Sequence, residues 1–153
     1  MARRALAVVA AIVLLGEAVG IVLVNWFLGR VVHRQNMSLG GVDSDTMSNT
    51  TYVMGGVFGF YLAVCGAILL FTGVRDRAPG RFGRILLITC AVVHGVLGAL
   101  TVGLIGWTAF AFMMVVLALV VLVLLMYAPP GLPAEPVDAP PSGEGGPPEP
   151  AAA

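Results

Sequence analysis

Lysine is absent from this chain: all eight basic residues are arginine, and charged residues fill only 10% of its 153 positions. A soluble domain typically carries about 25% charged residues, so this scarcity excludes a water-facing surface over most of the chain. The formal net charge is zero, which removes any overall pull toward nucleic acid or acidic substrates. Cysteine is nearly missing too. Cys65 and Cys90 lie inside apolar runs, where a thiol behaves as a small hydrophobe, so neither reads as part of a disulfide framework. The chain also lacks G-x-G-x-x-G, P-loop, H-E-x-x-H, G-x-S-x-G and C-x-x-C patterns. The expectation is a non-enzymatic protein without a cofactor or a metal.

What is present is apolar: hydrophobic residues make up 59% of the chain, and the mean hydropathy is +0.99. A hydrocarbon core needs roughly 20 apolar residues to cross. The first run, residues 5–28, meets that length, and it continues past the small residues near Ala18 and Gly20 where a signal peptide would be cut. A signal's apolar core is about 7–15 residues, so an uncleaved helix is expected. The second run covers 52–73. Residues 85–128 are almost continuously apolar, and as one helix they would reach about 66 Å, twice a ~30 Å core. They must fold back, and GLIGWT at 103–108 supplies the break, with Gly103 and Gly106 to relax the helix and Trp107 to mark an interface. The expected fold is therefore all-α: a four-transmembrane-helix bundle over 1–128, with helices near 5–28, 52–73, 85–105 and 108–128.

FTGVRDRAPGRFGRILL, residues 71–87, crowds Arg75, Arg77, Arg81 and Arg84 between two such runs. Arginines flanking membrane spans are retained on the cytoplasmic side. Placing this loop inside puts the N-terminus inside with Arg3 and Arg4, leaving only Arg30 and Arg34 outside. Trp26, Tyr52 and Trp107 then form an outer aromatic belt. The expectation is a cell-membrane protein with both termini cytoplasmic. Residues 129–153 change character, being rich in Pro and Gly with four acids and no aromatic residue. Such a segment cannot bury enough apolar surface to offset ordering, and a disordered tail is expected.

Two ionisable residues sit inside the spans and carry the most information. Glu17 lies midway along the first helix and His94 midway along the third, at depths of roughly 18 and 13 Å from the inner ends. A carboxylate at the bilayer centre costs roughly 2.5–3.5 kcal/mol on insertion scales, so it faces a partner or water. A Glu17–His94 pair is the candidate, either as a proton-coupling site or as a buried pair that fixes packing. Cys90, four residues before His94, shares its face, and with Cys65 and Glu17 the set has soft-metal ligand chemistry, although small packing residues account for both thiols. Asp43 and Asp45 in VDSDTMSN begin like a calcium loop, but Met47 stands where an oxygen ligand belongs and Ser48 where Gly belongs; a hydrated loop is expected over 29–51.

Small residues recur every four positions in the second helix (Gly55, Gly59, Ala63, Ala67) and in the third (Ala91, Gly95, Ala99, Gly103). Helices in lipid associate by close packing, which predicts that these two helices cross along these faces. The fourth helix carries bulky aliphatics all round and is expected to face lipid or a partner. The expected partners are the bilayer and either another membrane protein or a second copy of the chain, in an accessory, scaffold or regulatory role.

LLGEAVGIVLVN, residues 14–25, resembles the first helix of the small multidrug resistance transporters. That resemblance implies a four-span protein in which a membrane-embedded Glu, here Glu17, binds protons and cationic substrates in turn. The long 29–51 segment and the tail depart from that compact family. As a whole the chain looks like the four-helix membrane proteins of GC-rich bacteria, a likeness of class that its arginine-for-lysine, Ala- and Gly-rich composition carries.

Overall fold

The computed structural model describes residues 2–36 and 40–128. Four helices follow in order: α1 Ala2–Arg34, α2 Ser44–Arg75, α3 Arg81–Leu104 and α4 Trp107–Met126. All four are long and apolar enough to cross a membrane, so the chain is a multi-pass integral membrane protein with an all-α fold. The expected disorder of 129–153 lies outside the described residues.

The connections follow from local chemistry. α1 closes on Asn36, and α2 on Asp76, both left-handed, a conformation that Asn and Asp tolerate because a short polar side chain can bond locally. Pro79 then prevents α2 from resuming. α3 and α4 are separated only by Ile105 and Gly106, whose amides both donate to the Thr101 carbonyl at 2.9 Å. Gly106 has φ +116°, which a Cβ would oppose. The turn falls inside GLIGWT, where the sequence requires one.

Residues 29–51 correct the sequence reading. They were expected to form a hydrated loop, but α1 runs on to Arg34 and α2 begins at Ser44. The two helices hold 33 and 32 residues, about 50 Å each and well beyond a ~30 Å core. The overhang stays helical because the pair satisfies itself outside the apolar stretch. Ser48 Oγ donates to the Gly29 carbonyl at 2.9 Å, His33 Nδ1 lies 2.9 Å from Asp45, and the Tyr52 ring covers Gly29. Hydropathy alone cannot show pairing of this kind.

Helix packing supplies a second correction. The stripes on α2 and α3 do not face each other. Gly55, Gly59, Gly66 and Gly73 of α2 lie under Asn25, Val22, Leu15 and Val8 of α1, one antiparallel register held along nearly the whole length. After Gly59 the close approaches come every seven residues, the spacing that keeps a seam facing one partner. The matching face of α1 is itself small and buried: Ala7, Ala10, Ala11 and Ala18, with Leu14. Ala63 faces α1 at a shallow cleft beside Ala18, and Ala67 is half-buried. On α3, Gly95 and Gly98 meet Leu117 and Met114 of α4. Ala91 is half-buried against the core, whereas Ala99 and Gly103 are exposed.

The bundle is thus two tight hairpins, α1/α2 and α3/α4. α4 also packs on α1 and buries Val116, Val120 and Val123, yet it remains the least buried of the four helices. Of the helix pairs in contact, α2 and α3 touch least, and there the Tyr61 hydroxyl lies 2.9 Å from Thr89 Oγ1. At the arginine-rich end one carboxylate gathers three elements: Asp76 accepts from Arg3 at 2.9 Å and from the Tyr127 hydroxyl at 2.9 Å. The hydrogen bond from Arg3 holds the Asp76 carboxyl below the usual carboxylate range. Arg4 donates to the Gly73 and Val74 carbonyls, acceptors that the end of α2 leaves without helical partners. The start of α1, the 76–80 turn and the end of α4 therefore share one end of the bundle.

A Cβ at position 59 would collide with Val22 and with the Ala18 carbonyl, whereas one at 103 meets nothing within 4 Å. Gly59→Ala should lose about 1–3 kcal/mol by overpacking, and Gly103→Ala should be neutral or stabilising because alanine favours helix. Thermal unfolding in mild detergent distinguishes them; equal effects would contradict this packing.

Candidate functional site

The structure brings Glu17 and His94 together. α1 and α3 stand diagonally across the bundle, with no Cα of one within 8 Å of a Cα of the other among the described residues. Two long side chains close that gap: His94 Nε2 lies 3.0 Å from Glu17 Oε2, with side chains only 2% and 6% exposed. Small residues make the reach available. Ala18 and Cys90, beside them in sequence and one turn away, are buried without bulk.

The hydrogen-bond partners restrict where protons sit. His94 Nδ1 is 2.8 Å from the Cys90 carbonyl oxygen, which can only accept, so Nδ1 carries a hydrogen. Nε2 is then either a bare acceptor facing a protonated carboxyl, or the donor in an imidazolium facing a carboxylate. One proton is held between the two residues in both arrangements, and the pair is neutral in both. Remove that proton and a lone pair faces a carboxylate oxygen across the same 3.0 Å, a contact that repels. With Nδ1–H donating to the Cys90 carbonyl, the hydrogen bond between α1 and α3 exists only in the protonated pair.

Glu17 also borders a cleft between α1 and α4 of about 620 Å³, whose wall includes Gly16, Gly20 and Asn25 of α1 with Phe112 and Met113 of α4. A Cβ on Gly16 or Gly20 would touch nothing within 4 Å, so the two glycines leave open space on either side of the carboxyl. Binding sites for small molecules typically measure about 300–1,000 Å³, mostly apolar with few polar groups, and this cleft fits that description. It opens sideways, toward lipid. Asn25 is turned onto its own helix, donating to the Ile21 carbonyl at 2.9 Å, and leaves Glu17 as the ionisable group of the wall.

The cysteines are not part of one coordination sphere. The Cys90 thiol lies 3.6 Å from His94 Nδ1, and that of Cys65 turns toward the Leu86 carbonyl at 3.8 Å. Among the described residues no group of three His, Cys, Asp or Glu side chains is arranged to hold a metal ion. Of the six arginines expected inside, Arg3 and Arg4 tie α1 to the end of α2, while Arg75, Arg77, Arg81 and Arg84 surround the turn that follows it. The cleft itself was missed in the sequence. Its one-dimensional trace is Gly16-Glu17 followed by Gly20, in which glycine flanks the charge on the same helix face. No family model, curated protein or solved structure matches this chain.

Removing the carboxyl while leaving the ring would strand a buried polar nitrogen, at a cost of about 1–3 kcal/mol. Glu17→Ala and His94→Ala should each lose stability in that range, and the double variant should lose less than the sum because the two share one contact. Glu17→Gln should fold close to wild type, since its amide can donate to Nε2. Additive losses in detergent unfolding would show that the contact carries no coupling.

Proposed function

We propose that this chain is a small proton-coupled carrier of lipophilic cations, non-enzymatic, in which the Glu17 carboxyl exchanges its proton for a cation entering from the α1/α4 cleft. The observation that carries this reading is the Glu17–His94 hydrogen bond at 3.0 Å, with Glu17 on the wall of that cleft. A cation at the carboxyl displaces the proton, the cross-bundle bond is lost, and the two hairpins are freed to shift against each other. The chemistry agrees with what the first-helix resemblance implies, but it rests on the geometry of this chain.

We further infer that the protein lies in the cell membrane with both termini cytoplasmic. Support comes from the arginines: Arg3, Arg4, Arg75, Arg77, Arg81 and Arg84 gather at the bundle end where Asp76 holds Arg3 and Tyr127, and arginine near span ends is retained inside. With Thr46→Cys and Ala78→Cys variants, a membrane-impermeant thiol reagent should label position 46 in intact cells and position 78 only after permeabilisation. The opposite pattern would reverse the orientation.

Proton exchange is tested directly with a lipophilic phosphonium cation added to purified protein in weakly buffered detergent. Wild type should release roughly one proton per cation bound, because the pair holds one. Glu17→Gln should fold yet release none, and Gly20→Leu, whose Cβ meets nothing within 4 Å and whose side chain enters the cleft, should abolish binding. Cation binding without proton release would sink the proposal.

A second reading, an accessory or regulatory subunit with a static Glu17–His94 bond, is favoured by α4, whose outer face is apolar throughout and least buried in the bundle. Stoichiometric co-purification of another membrane protein, together with an inert Glu17, would establish that reading in place of transport.

A further inference from the structure

The arginine-rich end of the bundle carries a second cavity, about 370 Å³, between the last turn of α2 and the first turn of α3. Arg75 and Arg77 stand on its rim, while Ile68, Phe71 and Phe82 form its lower wall, on the side of the membrane interior. The charge here is one-sided. Asp76, the acid lying between these two arginines in sequence, points to the opposite face, where Arg3 and Tyr127 hold both of its oxygens. Among the described residues the ion pairs involve Arg3, His33 and His94, and none involves Arg75, Arg77, Arg81 or Arg84.

The apolar part is equally one-sided. Phe71 and Phe82 are 62% and 74% exposed, too large to leave in water and placed where the helices emerge from the membrane. Arg75 lies over the Phe71 ring at 5.7 Å, an arrangement that keeps the guanidinium at the rim while its stem follows the aromatic surface. Two cations above, two aromatic rings and an isoleucine below, and a floor kept low by Gly80 and Gly83 match one kind of molecule. It has a compact anionic head at the level of the arginines and an acyl chain running down the bundle.

We propose that this cavity is a binding site for an anionic phospholipid, its phosphate held by Arg75 and Arg77 and its acyl chain lying on Ile68, Phe71 and Phe82. Juxtamembrane arginines attract anionic headgroups at about 1 kcal/mol each, so two of them separate anionic from zwitterionic lipid by more than tenfold in affinity. The site is independent of the Glu17 cleft, at a different depth and on different helices.

Full-length protein in mild detergent would be titrated with phosphatidylglycerol, with phosphatidylcholine of identical acyl chains, or with inorganic phosphate, following bound lipid by native mass spectrometry and the unfolding midpoint. Phosphatidylglycerol should bind about tenfold or more tightly than phosphatidylcholine and raise the midpoint, with the preference removed in Arg75→Gln/Arg77→Gln. Arg30→Gln/Arg34→Gln, at the opposite end, should keep it. Phe82→Ala should weaken phosphatidylglycerol and leave phosphate without effect. Equal binding of the two lipids would overturn the proposal, as would a preference surviving the Arg75/Arg77 change. Stabilisation by phosphate alone would overturn it in favour of a small-anion site. If the double variant does not fold, the Phe82→Ala arm decides, because its exposed ring supports no core contact.

Discussion

A single proton between Glu17 and His94 is the constraint on which this bundle turns. Lipid offers no water to an unpaired carboxylate or imidazole, so each requires the other. The Glu17 carboxyl and His94 Nε2 find their partner across the bundle, on diagonal helices whose backbones do not approach. The hydrogen bond thus joins the α1–α4 packing in setting how the α1/α2 hairpin meets the α3/α4 hairpin, and it exists only while the proton is present. Structure and protonation are the same variable at this point in the fold.

Around that point the packing divides by residue size. Within each hairpin, glycine lets backbones come close: Gly59, Gly66 and Gly73 on α1, Gly95 and Gly98 on α4. Between hairpins α4 packs on α1, and polar side chains add Tyr61 with Thr89 and Glu17 with His94. Close backbone packing in lipid is strong and permanent, whereas a hydrogen-bonded contact can be exchanged for another partner. The places where this bundle can rearrange are therefore those held by polar groups. Asp76 does for the arginine-rich end what the Glu17–His94 pair does for the interior, joining α1, the α2–α3 turn and the end of α4 through one carboxylate.

Much of this was legible in the chain. Hydropathy marked four helices, length alone demanded a break in 85–128, and Gly106 supplied it. Matching depths of Glu17 and His94 pointed to each other because helical rise is fixed. Other features were not legible, for definite reasons. A small-residue stripe states that a helix is approached closely but not by which neighbour, and the four-residue repeat of Gly55, Gly59, Ala63 and Ala67 concealed the seven-residue step through Gly66 and Gly73. The polar overhang of α1 and α2 reads as loop because Ser48, His33 and Asp45 act across the hairpin, not along it. The cleft beside Glu17 is a void, and a void has no residues of its own to read.

The unequal helix lengths have a mechanical consequence. Arg34 ends α1 seventeen residues beyond Glu17, while Leu104 ends α3 ten residues beyond His94, so with these two side by side the α1/α2 hairpin stands about 10 Å taller than its neighbour. Ser48 on Gly29 at the top, and Arg4 on Gly73 and Val74 at the bottom, clamp the tall hairpin into one stiff mast. A sideways load applied to its tip tilts the whole mast about its foot at the arginine-rich end. The interior hydrogen bond, partway up, then shares the strain with the packing of α4 on α1.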